Sequence, residues 1–191
     1  VITGLHIADV DAGAASNISV TLSALNGTIT MLPGAGTVTI TNNSTSSVSL
    51  TGTLANINTL LSLANAVTYK GNLNYNGTDT LTMLTTDNGN TGTGGTLTDS
   101  DNVSITVNAL NDAPVVATST AVTMPAVAKS TVAPVNGTAS GVLVSTLLGD
   151  VTDADTGALK GMAVGDINGA GTLYYSINNG TTWLSRSAGM G

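Results

Sequence analysis

The sequence predicts an all-β protein of antiparallel β-sandwich architecture, and three observations predict it. All eleven acidic residues are Asp, only four residues are Lys or Arg, and 23 are Gly. A chain without Glu and nearly without Lys or Arg lacks the residues that build solvent-facing helices. Apolar and polar residues alternate along most of the chain, the period-two signature of half-buried strands. Between the alternating runs stand turn dipeptides that favour positive φ, among them Asn26-Gly27, Asn76-Gly77, Asn88-Gly89, Asn136-Gly137 and Asn179-Gly180. Strands and turns recur about every 8–12 residues, the rhythm of sandwiches. With 41% hydrophobic residues, 3% aromatic ones and no Phe, the core is expected to be aliphatic and thin.

Taken in order, the strand signals are Ile18-Val20-Leu22, Ile29-Met31, Val38-Ile40, Val48-Leu50, Leu81-Met83 and Val103-Ile105-Val107, with Thr, Ser or Asn between the apolar positions. One stretch breaks the alternation. Leu54, Ile57, Leu60, Leu61 and Ala64 follow a helical spacing, so one short helix is expected near residues 55–63, plugging one end of the sandwich. Asp79 reads as the anchor of a turn before a strand. The strand from Val103 runs into Leu110-Asn111-Asp112-Ala113-Pro114, and Pro114 stops sheet pairing before Val115-Val116 resumes an extended course. That pattern is a junction, placing a first module at 1–112 and a second at 113–191. The motif Asp9-Val10-Asp11-Ala12-Gly13 recurs as Asp153-Ala154-Asp155-Thr156-Gly157, which points to a tandem array. Aligned on that repeat, the first module is expected to lack its first strands and the second to be incomplete, leaving edges and apolar surface open to strand addition.

The charge balance excludes several functions. A net charge of −7 and a pI near 4.1, with Lys70, Lys129, Lys160 and Arg186 scattered singly, offer no basic surface to neutralise phosphates, so no nucleic-acid partner is expected. Without cysteine there are no disulfides, thiolate metal sites or thiol catalysis. No apolar run approaches the roughly 18 residues of a membrane span, and the chain reads as a soluble segment of something longer. His6 is the only imidazole, and the repeat aligns it with Asp150, as expected of a variable loop residue rather than a catalytic base. The acidic pairs lack an aromatic-lined cleft, and Tyr69, Tyr75, Tyr174, Tyr175 and Trp183 are dispersed, so no enzyme activity is expected. Asp9-Val10-Asp11-Ala12-Gly13 lacks the later ligands of an EF-hand loop. Leu32-Pro33-Gly34-Ala35-Gly36 reads as a turn, with no Lys-Ser/Thr to make a phosphate loop.

Several stretches together resemble a known family. They are Leu5-His6-Ile7-Ala8-Asp9-Val10-Asp11-Ala12-Gly13, Leu50-Thr51-Gly52-Thr53-Leu54-Ala55-Asn56-Ile57-Asn58, Asn76-Gly77-Thr78-Asp79-Thr80-Leu81-Thr82, Thr86-Asp87-Asn88-Gly89 and Val107-Asn108-Ala109-Leu110-Asn111-Asp112-Ala113-Pro114. A second set opens at Gly141-Val142-Leu143-Val144 and runs to Asp155. The chain resembles the cadherin-like, immunoglobulin-like tandem repeats of giant bacterial surface proteins and secreted adhesins of the RTX and VCBS-like types. The resemblance implies sandwich modules of about a hundred residues, strung end to end, with calcium (Ca2+) held at the junctions. It implies Asn111 and Asp112 at the linker, Asp87 from the Thr-Asp-Asn-Gly turn, and Asp153 and Asp155 from the following module as ligands. Asp9 and Asp11 would serve a preceding module.

Calcium takes six to eight oxygen ligands from carboxylates, amide oxygens and carbonyls, which suits these residue types. The pair Asp99 and Asp101 either caps the Gly92-Thr93-Gly94-Gly95 hairpin or supplies extra ligands. Asx-turns account for Asp87, Asp99 and Asp101 equally well without any ion. Without Glu, the bidentate Glu ligands of eukaryotic cadherin sites have no counterpart.

The function implied is extracellular and cell-surface: a structural and adhesive repeat for cell adhesion or biofilm attachment, rigid when calcium binds with a dissociation constant of about 0.1–1 mM. Its partners would be neighbouring modules or identical chains, with surface glycans or proteins reached through other parts of the parent protein. The alternative is a subunit of an extracellular filament or surface layer, assembled by β-strand complementation between neighbouring chains.

Overall fold

The computed structural model describes residues 1–33, 37–89, 94–117, 124, 126, 132–165, 167 and 171–187. The turn at Gly34-Ala35-Gly36 and the Gly92-Thr93 part of the glycine-rich hairpin lie outside the described residues. The chain divides into two compact units, Val1–Leu110 and Asn111–Gly191, so Asn111 and Asp112 group with the second.

The first unit contains β1 (Asn17–Ser23), β2 (Gly27–Met31), β3 (Thr39–Thr41), β4 (Ser47–Thr53), α1 (Leu54–Ser62), β5 (Val67–Gly71), β6 (Gly77–Thr86) and β7 (Thr98–Val107). Five of these strands form an antiparallel sheet in the order β3-β4-β1-β6-β7, and β2 pairs with β5 in a second, two-stranded sheet. The alternation read from the sequence is observed in β1, β2, β4 and the Asp79–Met83 part of β6. β1 and β4 each bury every second residue, and their register sets Val20 opposite Leu50 and Leu22 opposite both Val48 and Met83. Because opposed residues share a face, these side chains make one apolar row. Ile29 and Met31 of β2, Val67 of β5 and Ile57, Leu60 and Leu61 of α1 bury into the same aliphatic cluster. Leu22, Leu50, Ile57 and Leu60 are fully excluded from solvent.

Helix α1 starts where β4 ends because Thr53 caps it, its Oγ1 accepting the Asn56 N–H at 3.3 Å. Asn58 then ties α1 to the N-terminal segment, accepting the Ile7 N–H at 3.0 Å and donating to the Ile7 carbonyl at 2.8 Å. These bonds satisfy a backbone pair beside a buried Ile7, which would otherwise be left without partners on leaving water.

Three local expectations differ from what is observed. Asn26-Gly27 is no positive-φ turn: Gly27 already belongs to β2, is buried, and leaves room for the Tyr69 ring, which a Cβ there would strike. Asn88-Gly89 and Asn179-Gly180 do place both residues at positive φ. The second difference concerns Asp99 and Asp101, which stand within β7 and not in a turn, and β7 is mostly exposed where half-burial was expected. Its row Asp101, Val103, Ile105 shares a face with Met83, Leu81 and Asp79 of β6, yet Val103 is 38% exposed. As the last strand of the sheet, β7 has strand neighbours on one side only among the described residues. The third is a second helix, the single turn α2 (Val144–Leu147), which no side chain caps.

The second unit holds β8 (Val115–Val116), α2, β9 (Val151–Thr152), β10 (Thr172–Tyr175) and β11 (Leu184–Ser187), paired as β8-β9 and β10-β11. Side-chain-to-backbone bonds organise its turns. In the β10-β11 turn, Asn178 Oδ1 accepts the Thr182 N–H at 2.9 Å and Ser176 Oγ accepts the Gly180 N–H at 2.8 Å. Among the described residues, no helix is long and apolar enough to cross a membrane.

Candidate functional site

The two copies of the Asp-x-Asp motif fold into the same local structure. Asp9 Oδ1 accepts the Asp11 N–H at 3.2 Å and the Ala12 N–H at 3.2 Å. Asp153 Oδ1 likewise accepts the Asp155 N–H at 2.9 Å. Each is an Asx-turn, in which a short acceptor side chain replaces the backbone carbonyl of an ordinary turn.

What the second copy has in addition is the linker. β8 and β9 pair Val115 with Thr152 and Val116 with Val151, and three residues further along the same register Asp112 faces Asp155. The ladder itself does not continue that far, since Pro114 has no N–H to donate. A side chain takes over: the Asp112 N–H donates to Asp155 Oδ2 at 2.8 Å. Asn111 adds a local bond, its Nδ2 donating to the Asp112 carbonyl at 3.1 Å. The sequence-predicted residues Asn111, Asp112, Asp153 and Asp155 are thus brought together within the second unit.

As a donor set for calcium these residues suit the ion chemically, being all oxygen, with second carboxylate oxygens on Asp153 and Asp155 beyond those used above. The count is short. Asp112 joins through its amide, and among the described residues no three His, Cys, Asp or Glu side chains converge on a common point. An ion at Asp153 and Asp155 would complete its shell with carbonyls and water.

The remaining predicted ligands lie in the first unit. Asp87 follows β6 and closes the β6-β7 hairpin, its Oδ1 accepting the Gly89 and Leu97 N–H groups at 2.8 Å each. Asp99 and Asp101 project from one face of β7 and are exposed. Asp9 is half-buried in its Asx-turn and Asp11 exposed.

The carboxylate that the fold treats most specially is Asp79, 3% exposed and the only buried charged residue among those described. It does not stand in a turn before the strand, as the sequence suggested, but inside β6 on the core row with Leu81 and Met83, where the turn it holds is the distant one between β1 and β2. Its Oδ2 accepts the Asn26 N–H at 2.9 Å and the Tyr69 hydroxyl at 2.8 Å, and its Oδ1 accepts the Thr80 N–H at 2.8 Å and, more weakly, the Leu25 N–H at 3.4 Å. Burial pushes the Asp79 pKa up, but the donors from Tyr69, Asn26, Thr80 and Leu25 outweigh it and hold the carboxyl below its usual range. Burial, the hydrogen bond to Asp79 and the charge of Asp79 together raise the Tyr69 hydroxyl to about 12. An ionised acceptor facing a phenol that keeps its proton is a lock between β6, β5 and the β1-β2 turn. The signal was present in the sequence, since Asp79 alternates in phase with Leu81 and Met83, but Tyr69 as its partner is not visible without the fold. Hydroxyls of Ser23, Ser47, Thr80 and Thr82 line an open groove beside it.

No family model matches the chain, no curated protein matches it, and no solved structure matches it.

Proposed function

We propose that this chain is part of an extracellular structural and adhesive array, in which immunoglobulin-like, cadherin-like β-sandwich modules follow one another and calcium stiffens the junctions. The observation that carries the reading is the capture of the linker: the repeated Asp-x-Asp motif forms the same Asx-turn twice, and its second copy holds the Asp112 amide. A five-stranded and a two-stranded sheet that share one aliphatic cluster support the sandwich reading of the first unit. Asn111, Asp112, Asp153 and Asp155 would hold the ion, which would supply a positive charge that cancels carboxylate repulsion and cross-links the linker to the loop.

Thermal unfolding in millimolar calcium, in magnesium at equal ionic strength and in excess chelator tests this. A calcium-specific rise in Tm that grows with concentration is expected from ligand linkage. In a chain carrying Asp112→Ala and Asp153→Ala, that rise should vanish while the first unit stays folded. No calcium-specific rise in the parent chain would return every Asp to turn chemistry.

A second reading, a filament or surface-layer subunit built by strand complementation, draws on β7, a ten-residue strand with one unpaired edge among the described residues. Asp99 and Asp101 on that strand weigh against it, because charges on an edge strand deter pairing with another chain. Size-exclusion chromatography separates the two: higher-order species at micromolar concentration favour the filament, and a monomer removes it.

A further inference from the structure

Asn-Gly pairs carry a chemistry beyond turn formation. The backbone nitrogen of the glycine, once deprotonated by base, attacks the Asn side-chain carbonyl carbon. A five-membered succinimide closes and ammonia leaves. Water then adds to either ring carbonyl, giving Asp or isoaspartate, with no change in oxidation state. The step needs an Asn side chain free to swing toward the next amide and an amide that base can reach.

In four of the five described pairs the Asn side chain, the Asn backbone or the glycine amide is held. Asn88 donates through Nδ2 to the Asn17 carbonyl at 3.0 Å and contacts Ser19 Oγ at 3.1 Å, while the Gly89 N–H is held by Asp87 at 2.8 Å. Asn136 Oδ1 accepts the Trp183 N–H at 2.9 Å, and the Gly137 N–H donates to the Gly180 carbonyl at 2.9 Å. After Asn179, the buried Gly180 donates its N–H to Ser176 Oγ at 2.8 Å. Asn26 is clamped on both sides of its backbone, its N–H on Asp79 and its carbonyl accepting from Asn72 at 2.8 Å and from the Tyr69 hydroxyl at 3.2 Å, with Gly27 buried behind it.

Asn76-Gly77 is different. Both residues are exposed, and no hydrogen bond engages the Asn76 side chain within the described residues. Gly77 is tied only as the terminal pair of the β6-β7 ladder, opposite Val107, where fraying releases a backbone amide most readily. We propose that Asn76 is the site of spontaneous deamidation that the folded chain leaves open, ahead of Asn26, Asn88, Asn136 and Asn179. Conversion to isoaspartate adds a methylene to the backbone and a negative charge at the start of β6, loosening the pair that holds the end of β7 just before the chain leaves toward Leu110.

The intact chain, incubated in mildly alkaline buffer and sampled over days, is digested and mapped by mass spectrometry with separation of Asp and isoaspartate peptides. A parallel sample is held unfolded in urea. In the folded chain the Asn76 peptide is expected to convert several-fold faster than each of the other four, and in urea the five rates should draw together. Asn76→Gln should remove the early product and leave the other four rates unchanged. Asn168-Gly169 lies outside the described residues and stands outside the comparison. The proposal is overturned if any of the four matches Asn76 in the folded chain, if Asn76 stays unmodified there, or if its lead persists unchanged in urea.

Discussion

The two units of this chain are built from the same residue types by different means. In Val1–Leu110, β1, β2, β4, β5, β6 and α1 direct their apolar rows into one aliphatic cluster. In Asn111–Gly191, no described hydrophobic side chain is buried, and residues as large as Leu159 and Ile177 are 100% and 85% exposed. Strands of two to four residues and a single one-turn helix present rows too short to close a core, so the second unit rests on backbone pairing and Asx-type bonds. The contrast teaches that alternation makes a core only where strands are long enough to oppose one another over several pairs. Stability follows buried apolar area, and it should therefore be concentrated in the first unit.

The sharpest way to break that contrast is a matched pair of truncations. Leu50→Ala or Leu22→Ala removes a fully buried side chain and should cost about 2–5 kcal/mol, whereas Leu159→Ala should stay within about 0.5 kcal/mol. Urea unfolding followed by circular dichroism measures both, and equal costs would contradict the asymmetry.

Next in size is the Asp79 lock. Asp79→Asn should cost about 1–3 kcal/mol, because several buried donors lose a charged acceptor. The sign of its pH dependence is fixed by the lowered carboxyl. Its stabilisation is fully present above the unfolded pKa of about 3.9 and is lost as pH falls through the folded value. Tyr69 works at the other limb. With its hydroxyl raised to about 12, its contribution is complete below the unfolded pKa near 10 and is lost as pH climbs from there toward the folded value. Stability measured against pH should show both limbs, with Asp79→Asn flattening the acid one and Tyr69→Phe the alkaline one.

Smallest is Asp155→Ala, expected to cost about 1 kcal/mol or less and to act on the second unit alone. Faster hydrogen exchange at the Asp112 amide, with unchanged exchange in β1 and β4, is the outcome that checks it.

Much of the first unit was legible in the sequence for a physical reason. Ile18-Val20-Leu22, Val48-Leu50 and Leu81-Met83 alternate because one face of each strand is buried, and α1 is visible because Ile57, Leu60 and Leu61 share one face. β5 was not legible: only Val67 of Val67–Gly71 is fully buried, so no period shows. The exposure of Val103 was not legible either, since a strand's pattern does not say whether anything covers it. At the candidate site, the recurrence of Asp-x-Asp beside Asn111-Asp112 pointed to the segments that meet, while the bond from the Asp112 amide to Asp155 depends on the β8-β9 register, which two-residue strands do not announce.

Trp183 offers the most direct test, because it is the only tryptophan and lies in the second unit, half-buried, with its Nε1–H donating to the Thr138 carbonyl at 3.2 Å. Urea unfolding of the intact chain should be followed simultaneously by Trp183 fluorescence and by far-ultraviolet circular dichroism, which is dominated by the longer strands of the first unit. Stability concentrated in the first unit predicts a fluorescence transition at lower urea than the dichroism transition. Coincident transitions would mean that the two units unfold as one, contradicting the account.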